Sequence, residues 1–460
     1  MDAVLQVLAD NAARYVRELA EFIAIPSVST EPAHAADVRR AAEWVAARLR
    51  RTGPIDVEIC ETPRHPAVFG RWDGAPAAPT VLVYGHMDVQ PADPVGAWHS
   101  PPFTLTERNG RWYARGVSDD KASMLLPILA TEAFFAAGTR PPVNLRFLFE
   151  AEEEIGSPSL PDLVRRRRDA LACDVALSAD GGMWRTETPS ITVSARGIAS
   201  LELVVRGPRK DLHSGRHGGG VANPLHAAAA LVASLHDGGR VAVEGFYDDV
   251  EPIGPALREA LERLAFDEPR YLSDVGAPEG FGEPGYSTLA RQWYRPTLEI
   301  NGFYGGYEGP GSKTVLPSEA HVKMTCRLVP RQQPADIVAK VHRHLERHCP
   351  PGVSLTIEHG GHDAVAYRLS PDSAAIRAAA ETLAEVFGRP ADVVGMGGTV
   401  PIVATFRDVL GVDTVFFSFS VADEDIHAPD EFYRPERFRL GLGAWATLWR
   451  KLAARHQGTA

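Results

Sequence analysis

Long uninterrupted apolar runs are missing from this 460-residue chain, and so is the basic-then-apolar opening of a signal peptide, since it begins Met1-Asp2-Ala3-Val4-Leu5-Gln6. A membrane span and a secretory leader are therefore not expected, and a cytoplasmic protein is. Cysteine is scarce: only Cys60, Cys173, Cys326 and Cys349 occur, without paired spacing. That argues against a disulfide framework and a structural zinc knuckle. Positive charge is in deficit, with 48 Lys and Arg against 59 Asp and Glu and a net charge of −11. Such a chain has little with which to neutralise a phosphate backbone, so nucleic acid is not an expected partner. The one basic block, Arg165-Arg166-Arg167-Arg168, reads as a solvated helix face.

What is present is ordinary globular composition, 45% apolar and 23% charged, in a chain too long for a single core. Up to about residue 188, short apolar runs alternate with helix-spaced segments at 10–22 and 36–51, the texture of a doubly wound α/β layer. After Pro189 the order becomes β-α-β-β-α-β, which predicts an inserted ferredoxin-like α+β domain at 189–370. Within it a Gly- and Pro-rich stretch at about 237–296 reads as irregular, with some helix near 256–264. A helix at 371–387 resumes the first texture. The expected organisation is thus a catalytic α/β domain built from 1–188 and 371–460, with 189–370 as a lid and dimerisation domain.

Chemistry-bearing residues recur just past the apolar runs. Thr80-Val81-Leu82-Val83-Tyr84-Gly85 ends at His86, the run 145–149 at the cluster Glu150 to Glu154, and the run 174–178 at Asp180; the run 413–419 leads on toward His427. Ligands of open α/β sheets bind outside the carboxyl ends of the strands. His86, Asp119, Glu154, Asp180 and His427 therefore read as one two-metal site. Imidazole and carboxylate without thiolate suit Zn²⁺, with Mn²⁺ or Co²⁺ as alternatives. Asp119 is the expected bridge, at the start of a helix from Lys121 whose dipole favours an anion. Asp88 is expected to fix the tautomer of His86, and Glu153 to be the general base. Taken singly, a His-x-Asp, an acidic run or an Asp-Gly-Gly turn is weak; the weight lies in their joint order. His342, His344 and His348, on one charged helix, read as a solvated face.

The segments Gly85-His86-Met87-Asp88-Val89-Gln90-Pro91, Arg115-Gly116-Val117-Ser118-Asp119-Asp120-Lys121, Glu150-Ala151-Glu152-Glu153-Glu154-Ile155-Gly156-Ser157 and Asp211-Leu212-His213-Ser214-Gly215 closely resemble dinuclear metallopeptidases of the aminoacylase and carnosinase superfamily. Gly311-Ser312-Lys313-Thr314-Val315-Leu316-Pro317 and Cys326-Arg327-Leu328-Val329-Pro330 look most like its cytosolic nonspecific dipeptidase branch. The resemblance implies one metal on His86, Asp119 and Asp180 and a second on Asp119, Glu154 and His427, with Glu153 as base and a cis peptide after Asp119. It implies a homodimer through the inserted domain, with His213 reaching the partner's site to steady the oxyanion. Arg327 would clamp the substrate carboxylate, with Thr314, His359 and Thr399 nearby; Thr399 departs from the serine common in such dipeptidases. The activity implied is hydrolysis of a small peptide substrate, a dipeptide. The alternatives are an N-acyl-amino-acid deacylase of the desuccinylase or deacetylase type and an inactive metal- or peptide-binding scaffold.

Overall fold

The computed structural model describes residues 2–361 and 363–457, the last two in backbone only. The chain divides into two compact units. The first comprises the residues up to Val193, Leu369–Val394 and those from Thr405 on; the second comprises Ser194–Arg368 and Gly395–Ala404. Residues 395–404 thus group with the second unit, where an uninterrupted return to the first at 371–460 is the sequence expectation. Among the described residues no helix is long and apolar enough to cross a membrane.

The first unit is built on a six-stranded sheet ordered Asp56–Cys60, Ala67–Trp72, Asn144–Glu150, Thr80–His86, Val175–Ser178 and Thr414–Phe416. The last four run parallel, and Ala67–Trp72 pairs antiparallel on both sides. Thr80–His86 lies mid-sheet and is buried from Val81 to His86, as a parallel strand covered on both faces must be. Helix Ala12–Ile23 buries Tyr15, Leu19, Phe22 and Ile23, one stripe at helical spacing. Helix Ala374–Phe387 begins where Ser373 Oγ accepts the Ile376 N–H (3.3 Å) and ends at Gly388 with φ +69°. It packs on the C-terminal helix Pro435–Gln457, as does the buried helix Ala122–Ala136.

The second unit contains a four-stranded antiparallel sheet ordered Thr297–Gly305, Glu319–Leu328, Gly197–Arg206 and Ser354–His359. Helices Pro224–Ser234 and Pro334–Arg347 pack against it. With the strands taken in chain order, this is the ferredoxin-like arrangement. Along Glu319–Leu328 buried and less buried residues alternate, placing Ala320, Val322, Met324, Cys326 and Leu328 in one core with Leu231, Ile337 and Val341.

Three local expectations are corrected. The inserted domain is expected to open at 189, but the strand Ser190–Ala195 lies outside its four-stranded sheet, in a separate three-stranded one with Tyr367–Arg368 and Asp392–Met396. The stretch read as irregular holds the expected helix, as Pro255–Arg263, and two outside that expectation, Glu268–Asp274 and Thr288–Tyr294; the first two carry proline in the first turn, where a missing N–H costs least. His344 is not on a solvated face: it is buried, lies 3.1 Å from Ser234 Oγ and stacks on His348.

Candidate metal centre

Strands Thr80–His86, Asn144–Glu150 and Val175–Ser178 are parallel neighbours in a register that sets His86 opposite Glu150 and Tyr84 opposite Ser178. Their carboxyl ends are therefore level, and the residues just beyond each strand emerge at one edge. His86 Nε2 lies 3.0 Å from Asp119 Oδ1 and 3.9 Å from Asp180 Oδ2. His427 Nε2 lies 3.0 Å from Asp119 Oδ2 and 3.2 Å from Glu154 Oε2. Asp119 thus offers one oxygen to each of two triads, His86–Asp119–Asp180 and Asp119–Glu154–His427. Within each triad the donor atoms lie within 4.8 Å of one another.

These donors fit two borderline dications. They are nitrogen and oxygen atoms without sulfur, and a shared carboxylate suits a pair of ions a few ångströms apart. Charge makes the same case: among the described residues Asp119, Glu154 and Asp180 form ion pairs only with the two imidazoles, none with Lys or Arg. Hydrogen bonds to Asp119 and then Glu154 raise His427 to about 10. Burial alone would raise Asp119, but the hydrogen bonds from His427 and His86 outweigh it and hold it below the carboxylate range. Burial, partly offset by His86, leaves Asp180 at about 6. Glu153, beside Glu154, is pushed well above the carboxylate range by burial, with Asp180, Glu154 and Asp119 adding to the effect against His86. No hydrogen bond to its carboxylate occurs among the described residues, which leaves it free to exchange a proton.

Asp119 is not at the start of a helix as expected. Helix Ala122–Ala136 begins three residues later, and Asp119 has extended dihedrals (φ −119°, ψ 95°) within the turn Val117–Lys121. The anion is held by other means. The buried carboxylate of Glu431 accepts the N–H groups of Gly116 (2.9 Å), Ser118 (2.8 Å) and Asp119 (3.1 Å), and the Arg115 guanidinium (2.7 Å). Glu424 accepts the Ser118 hydroxyl (2.6 Å). The Asp119–Asp120 peptide is cis, as the resemblance implied. Asp120 Oδ2 accepts the His86 N–H at 3.2 Å. A Cβ at Gly85 would sit 2.7 Å from that oxygen, so any larger residue there would push the Asp120 carboxylate off the His86 N–H.

Asp88 lies beside His86, with its backbone oxygen 3.1 Å and its carboxylate 3.5 Å from Nδ1. The carboxylate also accepts the N–H groups of Glu153 (3.3 Å) and Glu154 (3.1 Å) and the hydroxyl of Ser29 (2.7 Å). It thereby ties the acidic loop to the histidine strand. Gln90 donates to Glu154 Oε2 at 2.8 Å. His427 stands on a loop with φ +65°, a conformation that a non-glycine residue adopts at a cost, and its side chain is 52% exposed. Neither Glu431 nor Glu424 stood out in the sequence. Glu424 also holds the nearby Val421 N–H and Arg434, but the Ser118 that both glutamates grip lies more than 300 residues away, and no local pattern encodes that pairing.

The remaining predicted site residues lie in the second unit. Arg327 Nη1 donates to Thr399 Oγ1 (2.9 Å), and that hydroxyl donates to the Arg196 carbonyl (2.7 Å). His213 is exposed on a two-residue strand opposite Val315. Its Nδ1 accepts the Gly215 N–H (3.0 Å), which in the neutral ring leaves the proton on Nε2. Thr314 accepts the Ser214 N–H on its carbonyl (3.0 Å). His359 is drawn to Asp363 (2.7 Å) rather than to Arg327 or Thr399.

Residues 82–451 match peptidase family M20/M25/M40. Across 99% of the chain and 98% of the relative, the sequence is 28% identical to the Cys-Gly metallodipeptidase dug1 of Schizosaccharomyces pombe. Among solved structures, human carnosine dipeptidase 1 superposes with TM-score 0.84 at 28% identity over 98% of both chains. The M20 family metallo-carboxypeptidase Sso-CP2 of Sulfolobus solfataricus gives the same TM-score at 29% identity, over 96% of this chain and 99% of its own.

Proposed function

The chain belongs to peptidase family M20/M25/M40, and from that premise we propose that it hydrolyses the amide bond of dipeptides with two divalent ions per subunit. The single observation that carries this reading is the pair of triads sharing Asp119, with the unpartnered carboxylate of Glu153 beside them. His86, Asp119 and Asp180 would hold one ion, and Asp119, Glu154 and His427 the other, Zn²⁺ first and Mn²⁺ or Co²⁺ as alternatives. When bound, such ions polarise a carbonyl and make water a nucleophile at neutral pH. Glu153 takes the proton of the attacking water and delivers it to the leaving amine. Asp88 keeps Glu153 and Glu154 in place through their N–H groups and orients His86. Arg327, steadied by Thr399, meets the C-terminal carboxylate with a planar fork, and Thr314 and His359 complete the substrate side.

The protein is read as a cytoplasmic homodimer in which His213 serves the partner's site. Its Nε2–H is a donor suited to a developing oxyanion, and its exposure leaves it available. Mixing inactive His213→Ala with inactive Glu153→Gln tests this: a heterodimer holds one site with both defects and one with neither, so activity returns. No recovery in verified heterodimers would remove the trans role.

Substrate class is tested by loading the purified protein with Zn²⁺, Mn²⁺ or Co²⁺ and presenting dipeptides, tripeptides, and N-acetyl and N-succinyl amino acids. Dipeptides should turn over fastest, and a chelator should abolish the activity. Preferential turnover of the N-acyl compounds would make it a deacylase, and none at all a binding scaffold.

A further inference from the structure

Within the second unit a cavity of about 310 Å³ opens beside Arg327, lined also by Arg196, Arg291, Arg295, Glu283 and Glu299. The charges in it are not matched. Glu283 is committed to Arg295 in a bidentate pair (2.6 and 2.9 Å), and Glu299 is exposed. Arg291 is held by the carbonyls of Tyr286 (2.9 Å) and Phe281 (2.8 Å). Arg196 uses Nε on the Gly397 carbonyl (3.0 Å) and Nη1 on the Arg295 carbonyl (3.3 Å). Arg327 donates to the Thr399 hydroxyl. Three guanidiniums therefore have neutral acceptors and no ion pair among the described residues. Burial and the neighbouring Arg327 pull Arg196 down to about 10 against the weaker opposing pull of the exposed Glu299. Two like charges brought together away from water are costly unless an anion joins them.

One substrate carboxylate on Arg327 leaves Arg196 unanswered. We propose that this cavity is an anion subsite, with Arg196 as its second cation, that receives the acidic side chain of a C-terminal Glu or Asp. The proposal rests on the reading that Arg327 meets the substrate's C-terminal carboxylate. The backbone carbonyls that hold Arg196 fix its guanidinium in advance, and Nη2 makes no hydrogen bond among the described residues.

The test compares isosteric pairs on the metal-loaded enzyme. Ala-Glu should exceed Ala-Gln by about tenfold or more in kcat/KM, expressed mainly in KM, and Arg196→Gln should bring that ratio near one while Arg196→Lys keeps part of it. Direct calorimetry of free glutamate against glutamine on the same protein gives the answer independently of turnover. Glutamate should bind about tenfold more tightly. Equal binding of the two amino acids, or a glutamate preference that survives Arg196→Gln, overturns the subsite. If no dipeptide is cleaved but glutamate is still preferred, the dipeptidase reading fails and the subsite stands. Should Arg196→Gln not fold, the wild-type glutamate–glutamine comparison still decides.

Discussion

Among the described residues, Asp119, Glu153, Glu154 and Asp180 of the first unit crowd together without a lysine or arginine ion pair, and Arg196, Arg291 and Arg327 of the second form no ion pair with a carboxylate. The two clusters call for counter-ions of opposite sign. In the first, His86 and His427 each stand 3.0 Å from Asp119 as nitrogen donors that complete the two triads. Arginine stays charged at any ordinary pH, so its cluster is left with carbonyls and a hydroxyl. The acidic centre thus offers donor sets for cations, and the guanidinium cavity offers one for an anion.

Removing one proton acceptor from the acidic centre without changing its shape is the strongest challenge to this contrast. Glu153→Gln should retain both ions by metal analysis and lose about 10²–10⁴-fold in kcat. Loss of metal in Glu153→Gln, with Glu154→Gln losing rate alone, would exchange the two roles. A smaller effect is expected one layer out. Glu431→Gln keeps the volume but sets an amide NH₂ against one pair of donors, either Gly116 and Arg115 or Ser118 and Asp119. Metal affinity should fall by about 10–100-fold in a competition titration, and unchanged affinity would reduce Glu431 to a packing residue. The smallest effect separates the two clusters by screening. Raising salt from about 0.05 to 0.5 M shortens the Debye length severalfold. The Ala-Glu over Ala-Gln ratio should shrink a few-fold, while the defect of Glu153→Gln, a matter of proton transfer, should not move.

Strand positions, and the chemistry-bearing residues at their carboxyl ends, are legible in the chain before it folds. Period-two alternation at 319–328 and the apolar runs ending at His86 and Glu150 are local consequences of burying one face or two. Those runs suffice to bring His86, Glu154 and Asp180 to one edge of a parallel sheet. How the anions are held, and where charge is left over, is settled only by long-range packing. The turn that carries Asp119 is tied to Glu431, 312 residues away, as well as to the helix that begins after it. Arg196 and Arg327 share a cavity because Ile198 pairs with Arg327 across neighbouring strands and because residues 395–404 fold into the second unit. Hydrogen bonds between such distant partners leave no periodicity to read. They become definite only when the chain has closed and each buried polar group has found a partner.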